Sequence, residues 1–231
     1  MKSQLTLTFG ETLAYSSETF VAHAGVQEVA ETLVTLAAER RFALVYIHGL
    51  PSTGKTHLSV YCAGLLQSLA RSVEVLSPAA AHEWAVKGSA RKRAEPGSSL
   101  FIDDAEQWIV QPASEGGFTA VADAVLQAKG LLVLLSSEPA TSVKAPAQVR
   151  SRLAAGVQLQ IGVPEEPDLD GILRAMSAQR GLRLTEPKRR FILARVPRTV
   201  PALTQYMTRL YEVGQRASSS TSFEVLAQAL G

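Results

Sequence analysis

Cysteine is almost absent: Cys62 stands alone among 231 residues. A lone thiol cannot form an internal disulfide, and such sparing use fits a reducing compartment. Cys62 falls in an apolar stretch of helical spacing, where it reads as a small buried hydrophobe. Aromatics are also scarce, at 6%, so the core must come mainly from Ala, Leu and Val. No run of about 18 apolar residues is present to cross a bilayer, and no membrane partner is expected. No basic stretch followed by a long apolar run opens the sequence, and the expected localisation is cytoplasmic. A dominant charge is missing too, since 23 Lys and Arg against 21 Asp and Glu give +2. That balance argues against a dedicated nucleic-acid binder and leaves room for local basic patches. His23, His48, His57 and His82 lack metal-ligand spacing. Trp84 and Trp108 read as packing residues.

What is present is a 46% hydrophobic content, enough for a sizeable core. "GVQEVAETLVTLAAE" has helical spacing, and "FALVYIHG" reads as a buried strand closed by Gly49. A helix is expected from Lys55 to Ala70. "SVEVLS" and "SLFIDD" follow as strands with the helical "AAAHEWAVKG" between them. "FTAVADAVLQAKG" reads as a helix ending at Gly130, then "LLVLLSS" and "VQLQIG" as strands. This alternation predicts an α/β domain over 11–163, a parallel sheet flanked by helices. "GVPEEPD" breaks it. Helices alone are expected beyond, at 169–180, 187–195, 200–215 and 223–230, forming a small all-helical domain over 164–231. "GSARKRAEPGSS" and "ASSSTS" are the most linker-like stretches.

The leading segment, residues 1–10, stands apart from both. In "MKSQLTLTFG", Leu5, Leu7 and Phe9 alternate with polar residues, so an extended chain shows one apolar face. Either it pairs as an edge strand of the protein's own sheet, or it docks on another protein.

The strongest chemical signal is "GLPSTGKT", which fits G-x-x-x-x-G-K-[ST] between a predicted strand and a predicted helix. Gly49 and Gly54 let the backbone wrap phosphate oxygens, and Pro51, Ser52, Thr53 and His57 complete the cradle at the helix N-terminus. Lys55 would neutralise the β and γ phosphates of ADP or ATP, and the Thr56 hydroxyl would ligate Mg²⁺. A phosphate loop also needs a carboxylate at the end of a neighbouring strand, and "LFIDD" supplies two. Asp103 is assigned to the Mg²⁺ shell. Asp104 either orients the attacking water or caps the next helix. Ser136, Ser137 and Glu138, ending the next strand, can sense the γ-phosphate from the side.

These pieces in this order resemble the AAA+ ATPases, and within them the branch of the replication initiator DnaA. "TFVAHAGVQEVAETL" is similar to that branch's adenine-side segment, which implies that Phe20 and Val21 contact the nucleotide. "FIDDAEQW" resembles its carboxylate motif, and "LLSSEP" its first sensor with Glu138 at the acidic position. "QVRSRLAAG" resembles the arginine-finger box, which places the finger on Arg152, with Arg150 as runner-up. The resemblance makes the helical domain a lid. No helix-turn-helix stretch follows it, and the layout resembles the Hda-type members of the branch, regulatory inactivators of DnaA. Their clamp-binding pattern, Gln-Leu-x-Leu-x-(Phe/Leu), is matched by Gln4, Leu5, Leu7 and Phe9. The implied partners are the DNA polymerase sliding clamp and ATP-bound DnaA, with DNA reached only through the clamp and a homodimer expected by analogy. Burying Leu7 and Phe9 yields roughly 1.5–3 kcal/mol each, so the tail alone should bind with Kd on the order of micromolar.

One family position departs. The lid's sensor arginine falls on Pro201 in "RTVPALTQY", where proline suits a first helical turn but brings no charge. Arg198 is the nearest substitute. The implied function is negative regulation of replication initiation, with weak intrinsic hydrolysis and Arg152 acting on DnaA-bound ATP. The alternatives are a DnaA-related adaptor that recruits another factor to the clamp, and a small-molecule P-loop kinase. Arg91–Arg93 and Lys188–Arg190 are basic runs that read as solvated surface or as DNA contacts.

Overall fold

The computed structural model describes residues 20–86, 94–111, 114–215 and 221–231. Gln4, Leu5, Leu7, Phe9 and the run Arg91–Arg93 lie outside them. The described chain divides into two compact units, Ala24–Val163 and Pro164–Gly231, and residues 20–23 group with the second.

The first unit is built on five parallel strands: β1 (Ala43–His48), β2 (Val73–Leu76), β3 (Ser99–Ile102), β4 (Leu131–Ser136) and β5 (Val157–Gln160). Their order across the sheet is β2-β3-β4-β1-β5. β4 therefore lies between β1 and β3, with Ala43–His48 opposite Leu131–Ser136 and Ser99–Ile102 opposite Leu131–Leu134. The three inner strands β1, β3 and β4 read as near-continuous apolar runs because helices cover both faces, while β2 and β5 at the edges keep polar residues. On one face Tyr46, Ile102 and Leu134 pack with Trp84, Trp108, Phe118 and Val149. These side chains come from α3 (Pro78–Val86), α4 (Ala105–Ile109), α5 (Ser114–Gln127) and α6 (Ala147–Ala155). The opposite face carries Ile47, Phe101 and Val133, all buried, and meets α2 (Lys55–Ser68), which packs on α1 (Ala24–Ala38). Cys62 is buried within α2, and burial pushes its thiol up to about 12.

α6 has no counterpart in the sequence expectation and α4 is there only as the helix after Asp104, without bounds, because nine and five residues give too little periodicity to read. α5 begins at Ser114 rather than Phe118. Gly116 and Gly117 look like helix breakers, yet a Cβ at Gly117 would sit 3.2 Å from the Ala85 Cβ, so the residue permits close approach to α3. Gly130 is stricter: a Cβ there would fall 1.9 Å from the Ser98 carbonyl oxygen.

The second unit holds four helices among the described residues: α7 (Asp168–Gln179), α8 (Glu186–Leu193), α9 (Val200–Gln215) and α10 (Phe223–Gln228). Leu173, Ile192, Leu203, Met207 and Leu226 form its core. Tyr206 is fully buried there, and its hydroxyl donates to the Leu226 carbonyl at 3.0 Å, tying α9 to α10. Tyr206→Phe leaves that carbonyl without its donor and is expected to cost about 1–2 kcal/mol, read as a lower urea midpoint at unchanged slope.

Candidate functional site

Because β4 separates β1 from β3, three connecting segments leave the carboxyl edge of the sheet side by side. The loop after β1 continues the ladder, since the Gly49 N–H donates to the Ser136 carbonyl at 3.1 Å. It then turns sharply. Ser52 and Gly54 hold φ of 65° and 93°, the second a value glycine adopts without steric penalty. Gly49 has a different constraint: a Cβ would approach Thr53 Oγ1 to 2.8 Å and Ile161 Cβ to 3.0 Å. Thr53 is buried and closes the loop from inside, its hydroxyl donating to the Leu50 carbonyl at 2.8 Å. Pro51 and Ser52 form an exposed crest.

Lys55 opens α2 and is only 7% exposed. Its ammonium donates to the carbonyls of Gly49 at 2.9 Å and Leu50 at 3.1 Å, so a full positive charge is held inside the loop. The next residue reaches across to β3: Thr56 Oγ1 donates to Asp103 Oδ2 at 2.6 Å. Asp103 is buried, and burial raises its carboxyl pKa against the opposing effects of the Thr56 hydrogen bond and the Lys55 charge. Its other oxygen accepts the Asp104 N–H at 3.1 Å. His57, half-buried, has its imidazole pushed down to about 4 by burial and is neutral at pH 7.

Asp104 sits at the N-cap of α4 in the left-handed region, φ 46°, with no side-chain capping bond. Of the two roles open to it, capping by the carboxylate is not the one observed. Burial raises its pKa, and the charge of Glu106 adds to the rise. Glu106 itself escaped the sequence reading. Its Oε1 accepts the Ser137 N–H at 3.1 Å, while Oε2 is buried without a hydrogen-bond partner among the described residues. Glu106 thus fastens the segment after β4 to the helix that follows Asp103 and Asp104. Two more bonds shape that segment. Ser136 Oγ accepts the Glu138 N–H at 3.0 Å, and Tyr46 donates to the Glu138 carbonyl at 2.9 Å. The Glu138 side chain is exposed. Tyr46 carries the signal that was available in the sequence: a polar tip in an otherwise apolar strand.

Arg152 lies on α6, where its Nη1 meets Asp123 Oδ1 at 3.3 Å, with both side chains about 40% exposed. It borders a cavity of about 440 Å³ together with Phe42, Ala43 and Leu44 at the beginning of β1. The loop Gly49–Gly54 follows the other end of that strand. Arg150 is exposed and forms no side-chain hydrogen bond or ion pair to a described residue. Phe20 and Val21 are half-buried and belong to the other compact unit. In that unit Pro201 lies in the first turn of α9, and Thr199 Oγ1 accepts the Ala202 N–H at 3.3 Å, capping the helix. Arg198 is ion-paired with Glu166. No cluster of three or more metal-binding side chains occurs among the described residues.

The strand order and the segments at the carboxyl edge define an α/β fold, a parallel sheet flanked by helices. Among solved structures, domain III of the Thermotoga maritima replication initiation protein DnaA superposes with a TM-score of 0.76 at 18% identity, covering 94% of this chain and 95% of that one. AMPPCP-bound DnaA from Aquifex aeolicus gives a TM-score of 0.64 at 14% identity over 93% of this chain and 86% of its own. The Thermotoga maritima RuvB Holliday junction branch migration motor gives 0.64 at 17% over 91% and 69%. No family model matches the sequence, and no curated protein matches it. At these identities what is shared is the fold: a parallel five-stranded sheet flanked by helices.

Proposed function

We propose that this chain is a DnaA-related nucleotide-binding protein that restrains replication initiation. It holds ADP or ATP with Mg²⁺ at the phosphate loop, engages the DNA polymerase sliding clamp through Gln4, Leu5, Leu7 and Phe9, and stimulates hydrolysis of DnaA-bound ATP through Arg152. The observation that carries the nucleotide reading is the Thr56–Asp103 hydrogen bond beside the buried ammonium of Lys55. A buried cation facing backbone carbonyls, and a hydroxyl held on a carboxylate, fit a phosphate group and a divalent ion. Gly54, with open space where a Cβ would stand, leaves the loop free to approach phosphate oxygens. Gly49–His57 would hold the phosphates, Phe20 and Val21 the adenine side, and Thr56 and Asp103 the ion. The ion supplies neutralisation of phosphate charge, and Asp104 would orient water.

The regulatory part rests on placement. Arg152 lies toward the end of β1 opposite to the loop, and a six-residue strand spans about 20 Å, so a role in a neighbouring molecule's site suits it better than one in its own. With Pro201 at the lid's sensor position and Arg198 held by Glu166, intrinsic hydrolysis should be slow.

Hydrolysis of DnaA-bound ATP, measured with and without DNA-loaded clamp, tests the reading. Stimulation is expected only with the clamp present, and it should vanish in a Gln4→Ala, Leu7→Ala, Phe9→Ala variant that melts normally and still binds nucleotide. Stimulation indifferent to the clamp or to that variant would refute the tail's role. Clamp and nucleotide binding without any effect on DnaA would make the chain an adaptor.

A further inference from the structure

The near-neutral total hides a local imbalance. Between Arg174 and Arg209 the chain has nine Lys or Arg and a single acidic residue, Glu186, in a sequence that is otherwise net acidic. Part of this charge is cancelled inside the helical unit. Arg189 grips both oxygens of Asp170, at 2.8 and 3.1 Å, Arg190 pairs with Glu186, and Arg198 pairs with Glu166. Lys188 and Arg195 are engaged differently. Lys188 donates to the neutral Thr221 hydroxyl at 3.3 Å. The exposed Arg195 guanidinium lies over the Phe191 ring, 3.9 Å from its centroid, and donates to the Phe191 carbonyl. Phe191 in turn meets Phe223 edge to face, with centroids 5.5 Å apart and planes at 73°. Phe223 is 48% exposed. Lys188 and Phe191 stand three residues apart on α8, Arg195 follows in the turn after that helix and folds back over Phe191, and Phe223 at the start of α10 extends the face. The acidic side chains beside this face in sequence are Glu186, already paired, and the exposed Glu224.

We propose that this face binds single-stranded nucleic acid, with phosphates on Lys188 and Arg195 and a base stacked on the open side of Phe223. Two cations without carboxylate partners among the described residues give attraction to a phosphate backbone. A half-exposed ring beside a guanidinium plane gives a platform for one base, the combination single strands use. A duplex keeps its bases stacked within itself, whereas a single strand offers an unstacked base to the ring. The face is made of other residues than Gly49–His57 and residues 1–10, so it stands or falls independently of the function proposed above. It adds a direct nucleic-acid contact to the expectation that DNA is reached only through the clamp.

Fluorescence anisotropy of the full chain with labelled oligothymidylate tests this. Affinity should fall linearly with salt on logarithmic axes. Lys188→Glu with Arg195→Glu should weaken it at least tenfold and flatten the slope by about 0.7 for each phosphate that is no longer neutralised. Phe223→Leu, which keeps an apolar side chain, should weaken single-strand binding about five- to tenfold while leaving duplex binding unchanged. Melting temperature and nucleotide binding of all variants should match those of the parent. Absence of binding by the parent chain overturns the proposal, as does indifference to the charge reversals or to Phe223→Leu. Equal competition by poly-glutamate would also overturn it and mark the face as a docking surface for acidic protein.

Discussion

Lys55→Ala is expected to weaken ADP and ATP binding by at least about 100-fold, close to 3 kcal/mol of binding free energy. The ammonium is buried and directed at two loop carbonyls. A phosphate entering the loop would meet this charge where little water screens it, the setting in which charge-assisted hydrogen bonds are strongest. The fold should tolerate the change. Alanine is among the best helix formers at the first position of α2, and of the two carbonyls that lose the ammonium, that of Leu50 keeps the Thr53 hydroxyl as its donor. Titration calorimetry gives the affinity. As an independent readout, nucleotide at 100 times the parent's Kd should stabilise the parent by about 2.7 kcal/mol and the variant by at most about 0.4 kcal/mol. Binding within fivefold of the parent would remove Lys55 from the site.

Arg152→Ala should lower the stimulated hydrolysis of DnaA-bound ATP by about 10³-fold, the usual effect of removing an arginine finger. The pair it forms with Asp123 is no obstacle. At 3.3 Å and about 40% exposure on both sides, such a contact contributes roughly 0–1 kcal/mol and is readily exchanged for a better anion. Asp123→Ala should therefore leave stimulation unchanged or slightly raised, which separates a role for the guanidinium from a role for the pair. Clamp binding and nucleotide binding should be unaffected in both variants. Full stimulation by Arg152→Ala, with loss in Arg150→Ala, would transfer the finger to the neighbouring exposed arginine.

The strand, turn and helix around Gly49–Thr56 were legible in the sequence because their requirements are local: an apolar run before, glycines for tight turns, and a helical stretch after. The apolar runs of β1, β3 and β4 were equally plain, since strands covered on both faces need no alternation to be recognised. Short elements were not legible. In α6 only Val149 and Leu153 are buried, one pair at helical spacing among polar neighbours. Glu106 was invisible for a different reason. An acid in the first turn of a helix ordinarily favours the helix dipole, and its partner, the Ser137 N–H, lies 31 residues away and is brought near by the pairing of β3 with β4. The basic run at Lys188–Arg190 was visible as charge. The pairing of Arg190 with Glu186 four residues earlier is local, whereas that of Arg189 with Asp170 on the preceding helix is a tertiary matter.

The position of β4 has a mechanical corollary. All six of its residues are buried, and it is hydrogen-bonded to β1 along its whole length and to β3 along four residues. Adjacent strands lie about 4.8 Å apart, so β1 and β3 are spaced by close to 10 Å through peptide groups alone. Side chains in the flanking helices can be exchanged, and the molecule made firmer or weaker, without changing that calibre. Thr56 and Asp103 meet across a gap whose width is gauged by backbone ladders, which makes it among the least evolvable dimensions in the molecule.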